Sequence, residues 1–260
     1  MADSPDPIPA DAYDVTYFTH ECQGHEEFGR GDDKRLPLRL SKALALAGNL
    51  SGKRVLDLGC GRGELVHYGH QHGALMVGAD YAPAALQLAQ QILPPEGAYL
   101  AQADVSALPF ANDTFDLVLA LDLVEHLYPY QLDAMLSEVF RILAPGGRLI
   151  VHTMPNLWYY RYGYPLYRLA QRLRGHRLPK DPRDRSRHVH VNIQSVPMLR
   201  AYLSRAGLEA NVRLENTQTF AQESSPLAQR VYRFMATTYP LAWVFCNDLF
   251  GIAKKVKETP

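Results

Sequence analysis

The stretch Val55-Leu56-Asp57-Leu58-Gly59-Cys60-Gly61-Arg62-Gly63-Glu64-Leu65 decides the fold. A short apolar run ends in an acid and a glycine-rich turn, and a helical pattern follows at once. That is a strand, a tight loop and a helix N-terminus, the arrangement that lets backbone approach a nucleotide-like cofactor. A side chain at the glycines would block the approach or forbid the positive φ of the turn. The spacing narrows the reading. A dinucleotide site wants G-x-G-x-x-G/A, whereas the glycines here are Gly59, Gly61 and Gly63, and the sixth position is Glu64. No G-x-x-x-x-G-K-[ST] phosphate cradle is present.

Working outward, residues 36–48 repeat leucine and alanine at helical spacing and end at Gly48, a plausible C-cap. Residues 64–72 read as a helix ended by Gly73. Leu75-Met76-Val77-Gly78-Ala79-Asp80 is a second buried strand ending in an acid. A carboxylate there can take both ribose hydroxyls of a bound nucleoside. Pro83 opens the next helix, over residues 84–93, and Pro94-Pro95 stops it. A third strand covers residues 98–101 and is followed by Asp104; a fourth is Phe115-Asp116-Leu117-Val118-Leu119-Ala120. In an open parallel sheet all these strand ends lie on one rim, where ligands bind. One acid there could merely cap a turn, but Asp57, Asp80 and Asp104 at three successive ends fit that poorly. Residues 131–143 form an amphipathic helix, Ala144-Pro145-Gly146-Gly147 a turn, and residues 148–153 strand five. After a helix near residues 197–205, strand six is residues 208–214 and strand seven residues 249–256.

The glycine run with Asp57 ahead of it resembles motif I of the class I S-adenosylmethionine (SAM) dependent methyltransferases. Leu121-Asp122-Leu123-Val124-Glu125-His126-Leu127 and the Pro145-Gly146-Gly147 turn with its following strand resemble the ubiquinone-biosynthesis-like small-molecule methyltransferases, the type 11 group. The resemblance runs from about residue 36 to 156 and resumes near His190. It implies an α/β, Rossmann-like, seven-stranded and mostly parallel sheet, last strand antiparallel, with helices on both faces and a helical cap. It implies SAM as cofactor and S-adenosyl-L-homocysteine as product. The implied cofactor-binding residues are Asp57, Gly59, Cys60, Gly61, Gly63, Asp80, Tyr81, Asp104, Val105 and Leu121, with Asp104 accepting from the adenine amino group.

The rest of the chain divides as an N-terminal lid segment, residues 1–34, and a methyltransferase domain, residues 35–260, with cap insertions at about 155–195 and 217–246. Residues 1 to about 12 are rich in Pro and Asp and read as disordered. The aromatic, His- and Glu-containing segment after them is expected to close over the cofactor. In the first insertion, residues 161–187 hold nine Arg or Lys against Asp181 and Asp184. Tyr162, Leu166, Leu169 and Leu173 form one helical stripe; Arg161, Arg168 and Arg172 form another. A basic amphipathic helix can lie on a membrane surface or grip an anionic substrate; a helical cap with a solvated basic face is the plainer alternative. The second insertion is largely helical and aromatic.

The chain has 260 residues, 47% of them hydrophobic, with 27 Lys and Arg against 27 Asp and Glu. No global field draws nucleic acid or anionic lipid. Cys22, Cys60 and Cys246 are too few and too scattered for a disulfide framework and fit a reducing compartment. With no signal segment and no long apolar run, a cytoplasmic protein is expected.

A hydroxyl acceptor must lose a proton, for which a positioned His is the commonest choice. The catalytic candidates are His190, in the family's register before the helix after strand five, His126 beside Glu125, and His152. Tyr17, Glu125, Asn156 and Tyr160 are expected to face substrate. No resident metal is expected, although Asp122, Glu125 and His126 could offer a divalent ion an oxygen-rich set. The expected activity is O-methylation of a small or lipid-linked acceptor such as a sugar, a phenol or quinol, or a secondary metabolite, with carbon and nitrogen acceptors open. Peripheral membrane contact through the basic aromatic cap is part of this reading. The alternatives are an RNA methyltransferase using the basic cap, against which stand the zero net charge and the lack of an RNA module, and a SAM-binding partner protein without transferase activity.

Overall fold

β1 (Arg54–Leu58) pairs in parallel with β2 (Leu75–Asp80) on one side and β4 (Phe115–Leu121) on the other, at the centre of a seven-stranded sheet. The computed structural model describes residues 5–22, 36–94, 96–183, 188–218 and 225–256. With β3 (Ala98–Gln102), β5 (Leu143–Thr153), β6 (Leu208–Leu214) and β7 (Leu249–Lys255), the strand order is β3-β2-β1-β4-β5-β7-β6. β7 runs antiparallel to both neighbours and every other pairing is parallel. The carboxyl ends of β1 to β5 therefore share one edge.

The central strands are apolar nearly throughout because helices cover both faces. Side chains alternate between the faces. Leu56, Leu58, Val118, Ala120, Leu149 and Val151 meet α4 (Pro129–Ile142) and α6 (Val196–Arg205). Val55, Leu117, Leu119 and Ile150 meet α1 (Leu38–Ala47) and α2 (Glu64–Gln71). α3 (Pro83–Ile92) lies beside α2, so close that a Cβ on Gly63 would sit 2.9 Å from Ala89 Cβ. Gly63 also has φ 84°, a left-handed conformation that favours glycine.

The cap comprises α5 (Tyr164–Leu173), α7 (Pro226–Thr237) and the short α8 (Ala242–Phe245), with a turn of π-helix at Tyr159–Gly163 leading into α5. Ser195 and Ser225 cap α6 and α7 with their hydroxyls. No helix among the described residues is long and apolar enough to cross a membrane.

Two segments differ from the sequence reading. The expected turn at Ala144-Pro145-Gly146-Gly147 sits inside β5 as an irregularity, because the β4–β5 register jumps between Phe115↔Leu143 and Leu117↔Arg148. Residues 5–12, read as disordered, are held on the rim: the Tyr81 hydroxyl donates to the Ile8 carbonyl (2.9 Å) and the Tyr130 hydroxyl to the Pro5 carbonyl (3.0 Å). Proline-rich backbone has carbonyls to offer and few donors to satisfy, so two tyrosines suffice to dock it. The remainder of the expected lid, residues 23–34, lies outside the described residues, as do residues 184–187 of the Arg-rich loop and residues 219–224 of the second insertion.

Candidate active site

A cavity of about 320 Å³ opens at the carboxyl edge of the sheet. Asp57, Asp80 and Asp104 all line it, with Gly59, Cys60, Gly61, Tyr81, Val105 and Leu121. The glycine loop is fastened to β2: the Gly61 N–H donates to Asp80 (2.9 Å), whose second oxygen accepts from the Ala82 N–H (2.9 Å). Asp104 accepts from the Ser106 N–H and hydroxyl at 2.8 and 2.6 Å. Gly63 is not on the wall; it serves the α2–α3 contact.

This half of the cavity suits a cationic nucleoside. Asp57 is sealed by burial, which pushes its carboxyl up to about 8, helped by the charges of Glu64 and Asp80. Asp80 is raised by burial too. Acids that raise one another's protonation gain from a bound cation. The loop is bare by construction: Gly59 and Gly61 have φ 76° and 51°, and a Cβ on Gly59 would press to 3.1 Å against Leu123.

The other half is lined by Tyr13, Tyr17, Glu125, His126 and His190. The His126 and His190 rings meet edge to face at 4.8 Å, and the Tyr13 hydroxyl lies 3.2 Å from His126 Nδ1. Burial pulls His126 down to about 3 and His190 to about 4. Both are therefore neutral near pH 7 and keep a lone pair. Glu125, pushed up to about 7 by burial and by the charge on Asp122, accepts from the Thr153 hydroxyl at 2.7 Å. Glu125, His126 and His190 each present one donor atom within 4.8 Å of the others, a set able to take a divalent ion. In the sequence reading Asp122 stood in place of His190, but its carboxylate is engaged elsewhere.

Asp122 ends β4 with φ 55°, an unusual value for a residue with a Cβ. Its carboxylate accepts from Arg39 Nε and bonds His152 Nδ1. These two cations hold it well below the usual carboxylate range, against its burial. The far nitrogen of His152 lies 3.2 Å from Asp248, which also accepts from the Thr217 hydroxyl at 2.6 Å. His152 is fully enclosed, and its acids overcome burial to raise it to about 10. It is not on the cavity wall, and both its ring nitrogens face carboxylates, unlike the other expected base candidates, His126 and His190.

Two expected substrate-facing residues are also elsewhere. Asn156 is buried, its amide donating to the carbonyls of Trp243 and Cys246 at 3.0 Å each, so it fastens the two insertions together. Tyr160 packs under the Arg183 guanidinium, 4.8 Å from the ring centre, and bonds Asp181. Arg183 reaches the cavity in its place. Sequence reasoning also missed Tyr13, Arg39 and Arg62. Arg39 had a signal: it interrupts the apolar face of α1, four residues before Ala43, and a cation there must meet an acid. Arg62, 3% exposed, donates to the Phe18 carbonyl (2.6 Å) and pairs with Glu64 (2.6 Å), tying the N-terminal segment to the glycine loop.

This strand order, with β7 reversed and an acid-tipped rim around one cavity, is the architecture of the class I SAM-dependent methyltransferases. Residues 56–151 match the family described as the methyltransferase domain. The chain is 36% identical over 120 residues to the phthiotriol/phenolphthiotriol dimycocerosates methyltransferase of Mycobacterium leprae, covering 45% of this chain and 44% of that protein. It is 35% identical over 121 residues to the ubiquinone biosynthesis O-methyltransferase of Vibrio cholerae, covering 45% and 49%. The chain spans about half the length of the curated relatives it matches. A SAM-dependent methyltransferase from Mesorhizobium loti shares the fold, with a TM-score of 0.60 at 19% identity over 84% of this chain and 97% of that one.

Proposed function

We propose that the protein transfers a methyl group from SAM to a hydroxyl of a small or lipid-linked, partly apolar acceptor. The observation that carries this reading is one cavity whose walls divide the work. Acids and bare backbone stand on one side, and two neutral imidazoles with tyrosines stand on the other. SAM, when bound, supplies a methyl group on a positive sulfonium, open to in-line attack. Asp80 is assigned the ribose hydroxyls, Asp104 the adenine edge, and the backbone of Gly59 and Gly61 with Asp57 the amino-acid end. His190, or His126 beside it, takes the acceptor's proton. The Asp122 charge favours the protonated form of both rings and so stabilises the imidazolium that results. The N-terminal segment closes the cavity with Tyr13 and Tyr17 and excludes water. Holding donor and acceptor in register can supply about 7 to 11 kcal/mol of the barrier.

The relatives named for phthiotriol-type and ubiquinone-type chemistry support an apolar acceptor. The test has two arms. Asp80→Ala and Gly61→Val should each abolish SAM binding in a calorimetric titration while the protein stays folded; unchanged affinity would overturn the site. Incubation with SAM and lipid or metabolite extracts, read by mass spectrometry, should show an acceptor that gains one methylene. A methylated RNA in place of a small molecule would overturn the acceptor class.

A further inference from the structure

The cap wears its apolar faces outward. Tyr162, Leu166, Leu169 and Leu173 follow one another at spacings of four, three and four along α5 and its entry turn, so they form a single stripe. Leu227, Val231 and Phe234 do the same on α7. Exposure across the two stripes runs from 46% at Val231 to 82% at Leu173. The buried residues Tyr164 and Gln171 on α5 and Ala236 on α7 lie opposite these stripes, and Ala228 lies to the side of the second. The helices touch through Tyr167 and Tyr232, rings 4.9 Å apart, so both outward stripes belong to one cap. An amphipathic surface helix ordinarily turns its apolar stripe toward the core. Two neighbouring helices that do the reverse mark a surface built to be covered.

The flanking charge identifies the cover. Arg168 and Arg172 border the stripe of α5, and Arg230 and Arg233 border that of α7. Among the described residues, none of the four has an acidic partner at ion-pair distance. A second copy would set arginine against arginine across the contact, which like-charge repulsion opposes. A nucleic acid would use the arginines and leave the leucines in water. An anionic bilayer satisfies both, with acyl chains and headgroup boundary for the stripes and phosphates for the guanidinium groups. We propose that α5 and α7 together form a docking face that lies flat on an anionic membrane. The insertion that carries α5 also supplies Pro182, Arg183 and His190 to the cavity wall. A protein so docked holds the acceptor side of its site against the layer in which an apolar acceptor dissolves.

The inference stands independently of the proposed activity, because vesicle binding is read without turnover. The full chain is sedimented with vesicles of phosphatidylcholine alone and with equimolar phosphatidylglycerol and phosphatidylcholine. The mixed vesicles should carry the protein down, and the neutral ones should not. Added salt should release it, since surface charge is screened beyond about 8 Å at physiological ionic strength. Arg168→Gln with Arg172→Gln should weaken binding about fivefold per arginine. Leu169→Glu with Phe234→Glu should abolish it. All four positions lie away from the cavity lining, and unchanged thermal melting and SAM titration check the fold of each variant. Wild type that ignores mixed vesicles overturns the proposal, as does a Leu169→Glu/Phe234→Glu variant that still binds them. A dimer by sedimentation equilibrium that this variant breaks, without vesicle binding, assigns the face to a second copy. Retention by single-stranded RNA without vesicle binding assigns it to nucleic acid.

Discussion

His152 and the pair His126 and His190 stand at the same edge of the sheet, the first fully enclosed and the other two half-buried on the cavity wall, and the protein titrates them in opposite directions. His152 lies between Asp122 and Asp248 and is raised to about 10. His126 and His190 face each other and are lowered to about 3 and about 4. Desolvation is the largest influence on all three and always favours the neutral ring. Carboxylates in direct hydrogen-bond contact outweigh it; a carboxylate acting only through space does not. Asp122 is the hinge of the comparison, because its short-range bonds go to Arg39 and His152, and only its field reaches the other two rings. One edge of the sheet thus holds a ring that favours its proton and two rings that favour losing theirs.

The comparison breaks most easily on the charged side. Asp248→Ala leaves an enclosed imidazolium with one partner removed and should lower folding stability by about 3–5 kcal/mol, read by urea unfolding. On the neutral side, His190→Ala and His126→Ala should reduce turnover by about a hundredfold to ten-thousandfold while SAM affinity holds. His190→Ala should change stability by less than about 1 kcal/mol. If neither histidine variant slows turnover, the base lies elsewhere.

The pH dependence sharpens the contrast further. The folded value of His152 lies above its ordinary 6.5, so its contribution is full below 6.5 and is lost as pH rises through about 10. The stability gap between wild type and His152→Gln should shrink over that interval. His126 and His190 lie below 6.5, so they weaken the fold as pH falls from 6.5 toward about 3 to 4. Turnover should fall only near the bottom of that interval, as the folded rings themselves take up protons at about 4 and about 3, and thermal melts and rate profiles read the two effects separately. A further effect falls on a polar group outside the cavity: Asn156→Ala strands the carbonyls of Trp243 and Cys246 and should cost about 1–3 kcal/mol, with faster hydrogen exchange in α8.

Much of this architecture could be read from the chain because parallel strands covered on both faces must be continuous apolar runs. β2 and β6 begin and end where their patterns do. The acids at the strand tips were legible for the same reason: a strand that ends in Asp at a known edge has a known position. The roles of the histidines were not legible. His152 sits on β5 and His126 after β4, and nothing local records that the segment entering β7 brings Asp248 into hydrogen-bond range of the first and not of the second. Asn156 and Tyr160 lie off the cavity wall for a similar reason, since their partners at Trp243, Cys246 and Arg183 come from other segments. Residue type announces that a side chain can do chemistry, and only tertiary neighbours settle whether it is held in reserve as scaffold.

Arg62 gives the cavity one further property. Because its guanidinium grips the Phe18 carbonyl and Cys22 Sγ from within the glycine loop, one side chain rivets the floor of the chamber to its roof. Lifting the roof means uncoupling a nearly dry cation from a backbone oxygen and a thiol, a cost that any opening of this chamber has to meet.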